Sequence, residues 1–369
     1  MRIAFITNVP SPYRVNFFNE LGKYCDLTVF FEKKSSDERD KSWELNNFLN
    51  FKGVFLKGIK FDVDKAISFE ICKYLSKNSF DHIIVSNVAT PTGIIAITHM
   101  RARKIPYWIE GDGGFAKKGS GFKEWLKRFL MKNTVGCFST SKEHDNYYVT
   151  YGVSTEKIYR YPFTALFEDE IIDKPLTPEE KRIIRKEIGV SEDKFILAVG
   201  QFIHRKGFDL LLHAAENLPK DIGIYFIGGK PTEEYVTLKK VSGLYNVHFI
   251  SFTEKELLKK WYSAAEIFVL PTREDIWGLV VNEAMAEGLP IITTDRCIAG
   301  LELVENGVNG YIIPTESVKP LVEKIENILG DSQLSTVMSY NSLKKIKQYT
   351  IENMVKVHIE ILKKYSGEN

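Results

Sequence analysis

Short runs rich in Val, Ile and Phe alternate along the chain with stretches whose apolar residues recur at helical spacing. In the first half the runs at 3–9, 27–31, 82–86, 106–109 and 136–140 read as buried strands, and 64–77 and 92–103 read as helices. A polar segment, 168–180 with Pro175 and Pro178, interrupts this rhythm. It restarts at Phe195-Ile196-Leu197-Ala198-Val199, with further strands expected at 222–227, 247–251, 267–270 and 290–293. Alternation of this kind predicts parallel sheets covered by helices. The expected class is therefore α/β, with two doubly wound Rossmann-like domains facing across a cleft and ligands at the carboxyl ends of the strands. Expected boundaries are 1–170, 171–349, and a final helical segment, 350–369, that crosses back to the first domain.

A chain of 369 residues suits two hydrophobic cores better than one. Hydrophobic residues make up 44% and charged residues 27%, and no apolar run reaches the roughly 18 residues that span a bilayer. The first residues read as a buried strand without the charged head, apolar stretch and cleavage site of a signal peptide, so a cytoplasmic protein is expected. Cys25, Cys72, Cys137 and Cys297 are widely spaced and form no C-x-x-C pair, which suits reduced thiols better than disulfides or zinc ligands. The net charge of +2 conceals an asymmetry: residues 1–170 hold 25 Lys and Arg against 20 Asp and Glu, and the remainder 25 against 28. The basic half is the candidate for meeting an anionic surface.

The densest chemical signal is Leu270-Pro271-Thr272-Arg273-Glu274-Asp275-Ile276-Trp277-Gly278-Leu279-Val280-Val281-Asn282-Glu283. A strand ends, a polar loop with Gly278 follows, and a helix begins, so backbone N–H groups at the helix N-terminus form an anion site. Asp275 and Glu283, eight apart, place one carboxylate in the loop and one about a turn into the helix. Together they can accept hydrogen bonds from hydroxyls at both ends of a nucleotide sugar. A second strand end reads Val199-Gly200-Gln201-Phe202-Ile203-His204-Arg205-Lys206-Gly207-Phe208-Asp209. Gly207 permits a tight turn, and Arg205 and Lys206 put positive charge where a diphosphate leaving group gathers negative charge, the role a metal plays elsewhere. A third strand end carries Gly228 and Gly229. It does not complete G-x-G-x-x-G, which argues against a dinucleotide dehydrogenase.

In combination these motifs, with Glu283-Ala284-Met285-Ala286, Gly288 and Pro290 and the trailing Asn306-Gly307-Val308-Asn309-Gly310-Tyr311, make residues 195–330 resemble the family-4 retaining glycosyltransferases of GT-B architecture, a branch of the group 1 glycosyltransferases. The resemblance implies that Lys206 contacts a donor diphosphate, Glu283 its ribose, Asp275 the transferred sugar, and the backbone around Phe252 the base. Gly200, Gln201, His204, Gly228, Gly229, Glu274, Ile276, Trp277, Gly278, Leu279 and Val280 complete the implied donor site. It also implies a same-face displacement without a lasting covalent intermediate, without metal and without a cofactor. Three positions depart from the pattern. Gln201 stands where an Arg is usual, with Arg205 able to compensate. Asp275 replaces the first Glu of E-x7-E, with Glu274 as the alternative. Glu110 or Asp112 stands where many members carry a cleft His.

In the first half, Pro12, Tyr13 and Arg14 follow the first strand and are the candidate acceptor side, Arg14 able to reach an anionic acceptor or the diphosphate. Asp62-Val63-Asp64 is formally D-x-D but precedes an expected helix, so Asp64 reads as an N-cap. The segment from Lys117 to Lys132, with Lys118, Lys123, Lys127 and Arg128 among its cations and Phe122, Trp125, Phe129 and Leu130 on a helical repeat, can lie on anionic lipid or pack its aromatics into the core. The seven His residues show no metal-ligand spacing.

The reading is a hexosyltransferase that moves a sugar, from a UDP-sugar donor, to a lipid-linked or cell-surface polysaccharide acceptor, with no nucleic-acid partner. Rivals are a nucleotide-sugar epimerase or a phosphorylase of the same architecture, and a nucleotide-sugar-binding subunit without transfer.

Overall fold

The computed structural model describes residues 1–34, 48–62, 65–86, 88–117 and 119–367. The chain divides into two units, Met1–Ala165 with Thr350–Asn369, and Leu166–Tyr349. Both are α/β with parallel sheets.

In the first unit β1 (Arg2–Thr7), β2 (Asp26–Phe31), β3 (Lys52–Phe55), β6 (His82–Val85), β7 (Trp108–Glu110), β8 (Gly136–Ser139) and β9 (Ile158–Arg160) form one sheet in the order β3-β2-β1-β6-β7-β8-β9. Its pairings are all parallel. The central strands are the continuous apolar runs, since both faces are covered. Ala4, Ile6, Ile83, Val85 and Ile109 share a core with Ala96, Ile97 and Met100 of α2 (Pro91–Ala102). The edge strands β3 and β9, half-buried and partly polar, lack that signature and were not expected.

The expected helix at 64–77 is not formed. The chain there makes a small antiparallel pair, β4 (Ile59–Asp62) with β5 (Lys65–Ile67), followed by a 3-10 turn at Glu70–Lys73. Tertiary hydrogen bonds decide against the helix: Ala66 N–H donates to Glu32 Oε2 at 3.1 Å, Thr92 Oγ1 donates to the Ala66 carbonyl at 2.6 Å, and Ser68 N–H donates to Thr92 Oγ1 at 3.1 Å. These bonds occupy backbone groups that a helix would pair internally. The N-cap reading of Asp64 lies outside the described residues.

The last helix, α13 (Ile351–Ser366), is started by Thr350, whose side chain accepts from Asn353 N–H. It packs within the first unit: the buried His358 ring lies 5.0 Å from Phe17 of α1 (Pro12–Leu21), 4.3 Å from Phe138 and 4.6 Å from Tyr161.

The second unit orders β10 (Lys194–Val199), β11 (Ile222–Ile227), β12 (Val247–Ile250), β13 (Ile267–Leu270), β14 (Ile291–Thr294) and β15 (Gly310–Ile313) as β12-β11-β10-β13-β14-β15. The chain builds outward from β10, then returns to its other side with β13, so a topological switch point lies between those two strands. Ile196 and Leu197 pair with Ile267 and Phe268 across it. Edge strand β15 was not expected either. Among the described residues no helix is long and apolar enough to cross a membrane, and the four cysteines are free.

His144 and His358 are among the buried imidazoles of the first unit. His144 sits in α4 (Lys142–Thr150), stacked 4.3 Å from Tyr148, and Thr140 N–H donates to its Nδ1 at 3.3 Å. Burial pushes its pKa down to about 3 and also lowers that of His358. The unfolded chain takes up these protons from about pH 6.5 downward while the fold refuses them. Stability is thus lost progressively as pH falls below about 6.5, by at most about 1.4 kcal/mol per pH unit for each His. His144→Asn keeps an acceptor for Thr140 N–H and removes one titration. Thermal melts between pH 7 and 5 should show a shallower decline for the variant; equal slopes would refute the assignment.

Candidate functional site

At the switch point of the second unit two strand ends are forced together. Gly207 has φ +67°, and a Cβ there would lie 2.0 Å from the Pro271 carbonyl oxygen, so no other residue fits. Gly228 has φ +145°, and a Cβ there would lie 2.0 Å from the Gly200 carbonyl oxygen. Between Gly200 and Gly207 the chain passes through exposed Gln201 and Ile203 into a 3-10 turn, His204–Lys206. Helix α6 (Phe208–Ala215) follows.

That turn hangs on the loop after β13. Arg273 N–H and Thr272 Oγ1 both donate to the Arg205 carbonyl at 2.8 Å, and Arg273 Nη1 donates to the His204 carbonyl at 2.8 Å. The Arg273 guanidinium is held in turn by both oxygens of Asp209, at 2.8 and 2.6 Å, and by Glu316 at 2.5 Å. Burial alone would raise the Asp209 pKa; its hydrogen bonds to Arg273 bring it below the ordinary value.

The turn carries Lys206 to Asp275. Nζ lies 2.6 Å from Asp275 Oδ2, and Arg205 Nη1 lies 3.5 Å from Oδ1. An ammonium has three donors, so Asp275 leaves Lys206 with two. Glu274 is engaged elsewhere, by Arg296 at 2.8 Å; Asp275 is the carboxylate beside the lysine. Asp275 is fixed through its backbone, its N–H donating to the Arg296 carbonyl at 2.8 Å and its carbonyl accepting from Ile298 N–H at 3.2 Å. Trp277, expected among the donor contacts, is buried and donates from Nε1 to Asn282 Oδ1 at 2.9 Å; its ring supports the loop from within. Ile276 is exposed.

Gly278, at φ +104°, caps α9 (Leu279–Ala286), so half-buried Leu279 and Val280 open the helix at its positive end. One turn in, half-buried Glu283 accepts at Oε2 from Tyr262 Oη, 2.8 Å away, in α8 (Lys255–Ala264). Burial raises the Glu283 pKa, and the Tyr262 hydrogen bond works against that rise. At the neighbouring strand ends, Gly229 faces open space and Phe252 is 61% exposed. No group of three or more His, Cys, Asp or Glu among the described residues is placed to hold a metal ion.

The first unit gathers a separate cluster at the end of β7. Arg14 Nη1 donates to Glu110 Oε1 at 2.5 Å and Nη2 to Asp112 Oδ1; Tyr13 Oη donates to Asp112 Oδ2 at 2.8 Å, and Tyr161 Oη to Glu110 Oε1 at 3.2 Å. Arg14 does not reach out to an anionic ligand, contrary to expectation. Its side chain is 5% exposed and neutralised by two carboxylates, so it has neither the access nor the spare charge. Glu110 is buried, and its Oε2 has no hydrogen-bond partner among the described residues. Asp112 is the accessible carboxylate of the pair, and Pro12 is exposed at the first position of α1.

Arg273, Asp209, Tyr262 and Tyr161 escaped the sequence reading. Arg273 lay inside the quoted motif, but its partner is 64 positions upstream, and Tyr262 sits in a helix outside every quoted motif. Arg273→Ala should speed amide exchange across residues 204–207 by about 10- to 100-fold, the scale of one lost charged anchor, with the β-sheet unaffected. Unchanged exchange would show that the turn stands without it.

Residues 180–345 match the family model for glycosyl transferases group 1. An uncharacterized glycosyltransferase of Methanocaldococcus jannaschii is 27% identical over 198 residues, 52% of this chain and 50% of that protein. Over a longer match, 303 residues covering 70% of this chain and 79% of the relative, the chain is 26% identical to the alpha-galactosylglucosyldiacylglycerol synthase of Streptococcus pneumoniae. The chain spans about half the length of the first curated relatives it matches. In structure it is similar to Anabaena HepE in complex with UDP, with a TM-score of 0.78 over 100% of both chains at 15% identity, a likeness of fold. Residues 180–345 are thus similar to the group 1 glycosyl transferases, and the two Rossmann-like halves of the chain have the GT-B fold.

Proposed function

We propose that the protein transfers a sugar from a nucleotide-sugar donor, a UDP-sugar, to a lipid-linked or cell-surface glycan, with retention at the anomeric carbon and without a metal. The observation that carries this reading is the Lys206–Asp275 pair at the switch point, beside the N-terminus of α9 and one turn from Glu283. In this reading the two remaining Lys206 donors and Arg205 take the diphosphate, Asp275 the sugar hydroxyls and Glu283 the ribose. The bond from the anomeric carbon to the diphosphate breaks with its electron pair leaving on UDP. The acceptor oxygen bonds the same face of that carbon, and its proton passes to the departing phosphate. Lys206 and Arg205 stabilise charge that grows only as the bond breaks, which is how fixed cations lower a barrier. Relatives support the substrate classes: the Anabaena neighbour holds UDP, and the pneumococcal relative is named for a glycolipid product. Of the two carboxylates that Arg14 pairs with, we assign the more accessible Asp112 to the substrate, held by Arg14 and Tyr13.

Lys206→Ala and Glu283→Ala should each lower transfer by about two to four orders of magnitude with melting temperature of the free protein preserved. Stabilisation by UDP in a thermal shift, a mass-action effect of binding, should also shrink in both. Near-wild-type transfer in either variant places the donor elsewhere. Strong UDP binding by the wild type, with no turnover on any glycan or lipid-linked acceptor, identifies a binding subunit.

We place the enzyme in the cytoplasm, peripheral on the inner face of the membrane, through α3 (Phe122–Met131). Leu130 and Met131 are buried, whereas Phe122 is 73% and Trp125 57% exposed. The two exposed rings stack at 5.6 Å, and Trp125 stacks in turn at 5.5 Å on half-buried Phe129. Lys117, Lys123, Arg128 and Lys132 are exposed around them, whereas Lys127 turns inward to donate to Tyr151 Oη at 3.0 Å. Lys118 lies outside the described residues. Aromatic rings flanked by cations suit the boundary of an anionic bilayer. Changing Lys123, Arg128 and Lys132 together to Glu should abolish salt-sensitive co-sedimentation with phosphatidylglycerol vesicles; undiminished co-sedimentation would remove this surface from the proposal.

A further inference from the structure

Helices α8 and α9 meet along a polar seam. Tyr262 Oη donates to Glu283 at 2.8 Å and Ser263 Oγ to Glu287 at 2.5 Å, while Lys259 Nζ lies 3.5 Å from Glu287. Two carboxylates one turn apart, Glu283 in α9 and Glu287 at its C-terminal end, are thus each met by a hydroxyl from α8. The two ends of the seam differ. Glu287 is buried and has both oxygens engaged, as a structural group does. Glu283 is half-buried, with one oxygen on Tyr262 and the other without a protein partner among the described residues, yet absent from the fully buried unpaired atoms, so that oxygen reaches solvent.

We infer that Tyr262 is a positioning residue for donor recognition: its hydroxyl pins one oxygen of Glu283 and thereby presents the other, at a fixed angle, to the hydroxyls of the bound nucleotide. This rests on the donor reading proposed above. A single pinned oxygen matters because a free carboxylate samples rotamers, and a hydrogen bond to a ligand must first order the group that makes it. It matters also because an ionised carboxylate is a stronger acceptor than a neutral acid. Burial raises the pKa of Glu283, and the Tyr262 hydrogen bond and Lys255 lower it while Glu170 raises it. Lys255 and Glu170 pair with each other, and after burial the Tyr262 hydrogen bond is the largest influence on the Glu283 carboxyl, favouring its charged form. Tyr262 itself stays protonated, since burial and then Glu283 hold its pKa well above the ordinary value.

The test measures UDP affinity by calorimetry from pH 5.5 to 8.5, using the full chain. For Tyr262→Phe, UDP binding should weaken about 10-fold near pH 6, and the acid limb of its pH profile should move to higher pH than in wild type. Ionisation of UDP is common to both proteins and cancels. In an isosteric counterpart, 3,5-difluorotyrosine at position 262 donates more strongly and should move the limb the other way, which keeps the test open if the Phe variant fails to fold. Parallel profiles for all three proteins, whatever their absolute affinity, would reduce Tyr262 to packing and overturn the inference. Glu283→Gln separates the two levels of the argument: it should flatten the acid limb, and if it instead binds UDP as wild type does, the assignment of Glu283 to the donor fails rather than that of Tyr262.

Discussion

The contact on which the second unit's chemistry depends is the approach of the residue 207 backbone to the carbonyl that ends β13. Because β10 and β13 are neighbours in the sheet but about seventy positions apart in the chain, the loops leaving them emerge side by side. A glycine at the closest point lets the turn carrying Arg205 and Lys206 settle onto the segment carrying Asp275. Everything polar in the site is then a consequence of that juxtaposition: cations supplied by one loop, a carboxylate by the other, and a helix N-terminus beside them. Arg273 and Asp209 hold the arrangement shut from behind, a charged pair oriented by two-point hydrogen bonding and therefore directional as well as attractive.

What could be read from the chain alone follows from where the apolar residues fall. Central strands such as 195–199 and 267–270 are buried on both faces, so their continuous Val, Ile and Phe runs announce them. Edge strands at 52–55 and 158–160 are largely half-buried or exposed and carry no such run, and the one at 310–313 offers only Ile312-Ile313 after a Gly and a Tyr. The segment after residue 64 had a helical pattern yet became a strand and a short turn, because Glu32 and Thr92 reach it from elsewhere in the fold. The strand-end loops at 200–207 and 271–278 were legible because their motifs are local. Their supports were not: Tyr262 reaches Glu283 across two helices, and nothing in either helix marks the pair.

The first unit shows the opposite failure. Arg14 was conspicuous as a cation after a strand, but a charge in sequence says nothing about its neutralisation in space. Two carboxylates and two tyrosines close around it, and the guanidinium becomes a buried brace between α1 and β7. Breaking such a brace from one side leaves an uncompensated charge in a poor solvent for it, so its members act as a unit.

The two glycines that meet carbonyl oxygens set a boundary on how this protein can diversify. Positions 207 and 228 admit no side chain, whereas 201, 203, 229, 252 and 276 border the same ground and are exposed or face open space. Variation that reshapes this end of the second unit is therefore channelled to that second group. A library built there would explore new selectivity on an unchanged chassis, while one that includes the glycines would mostly sample broken loops.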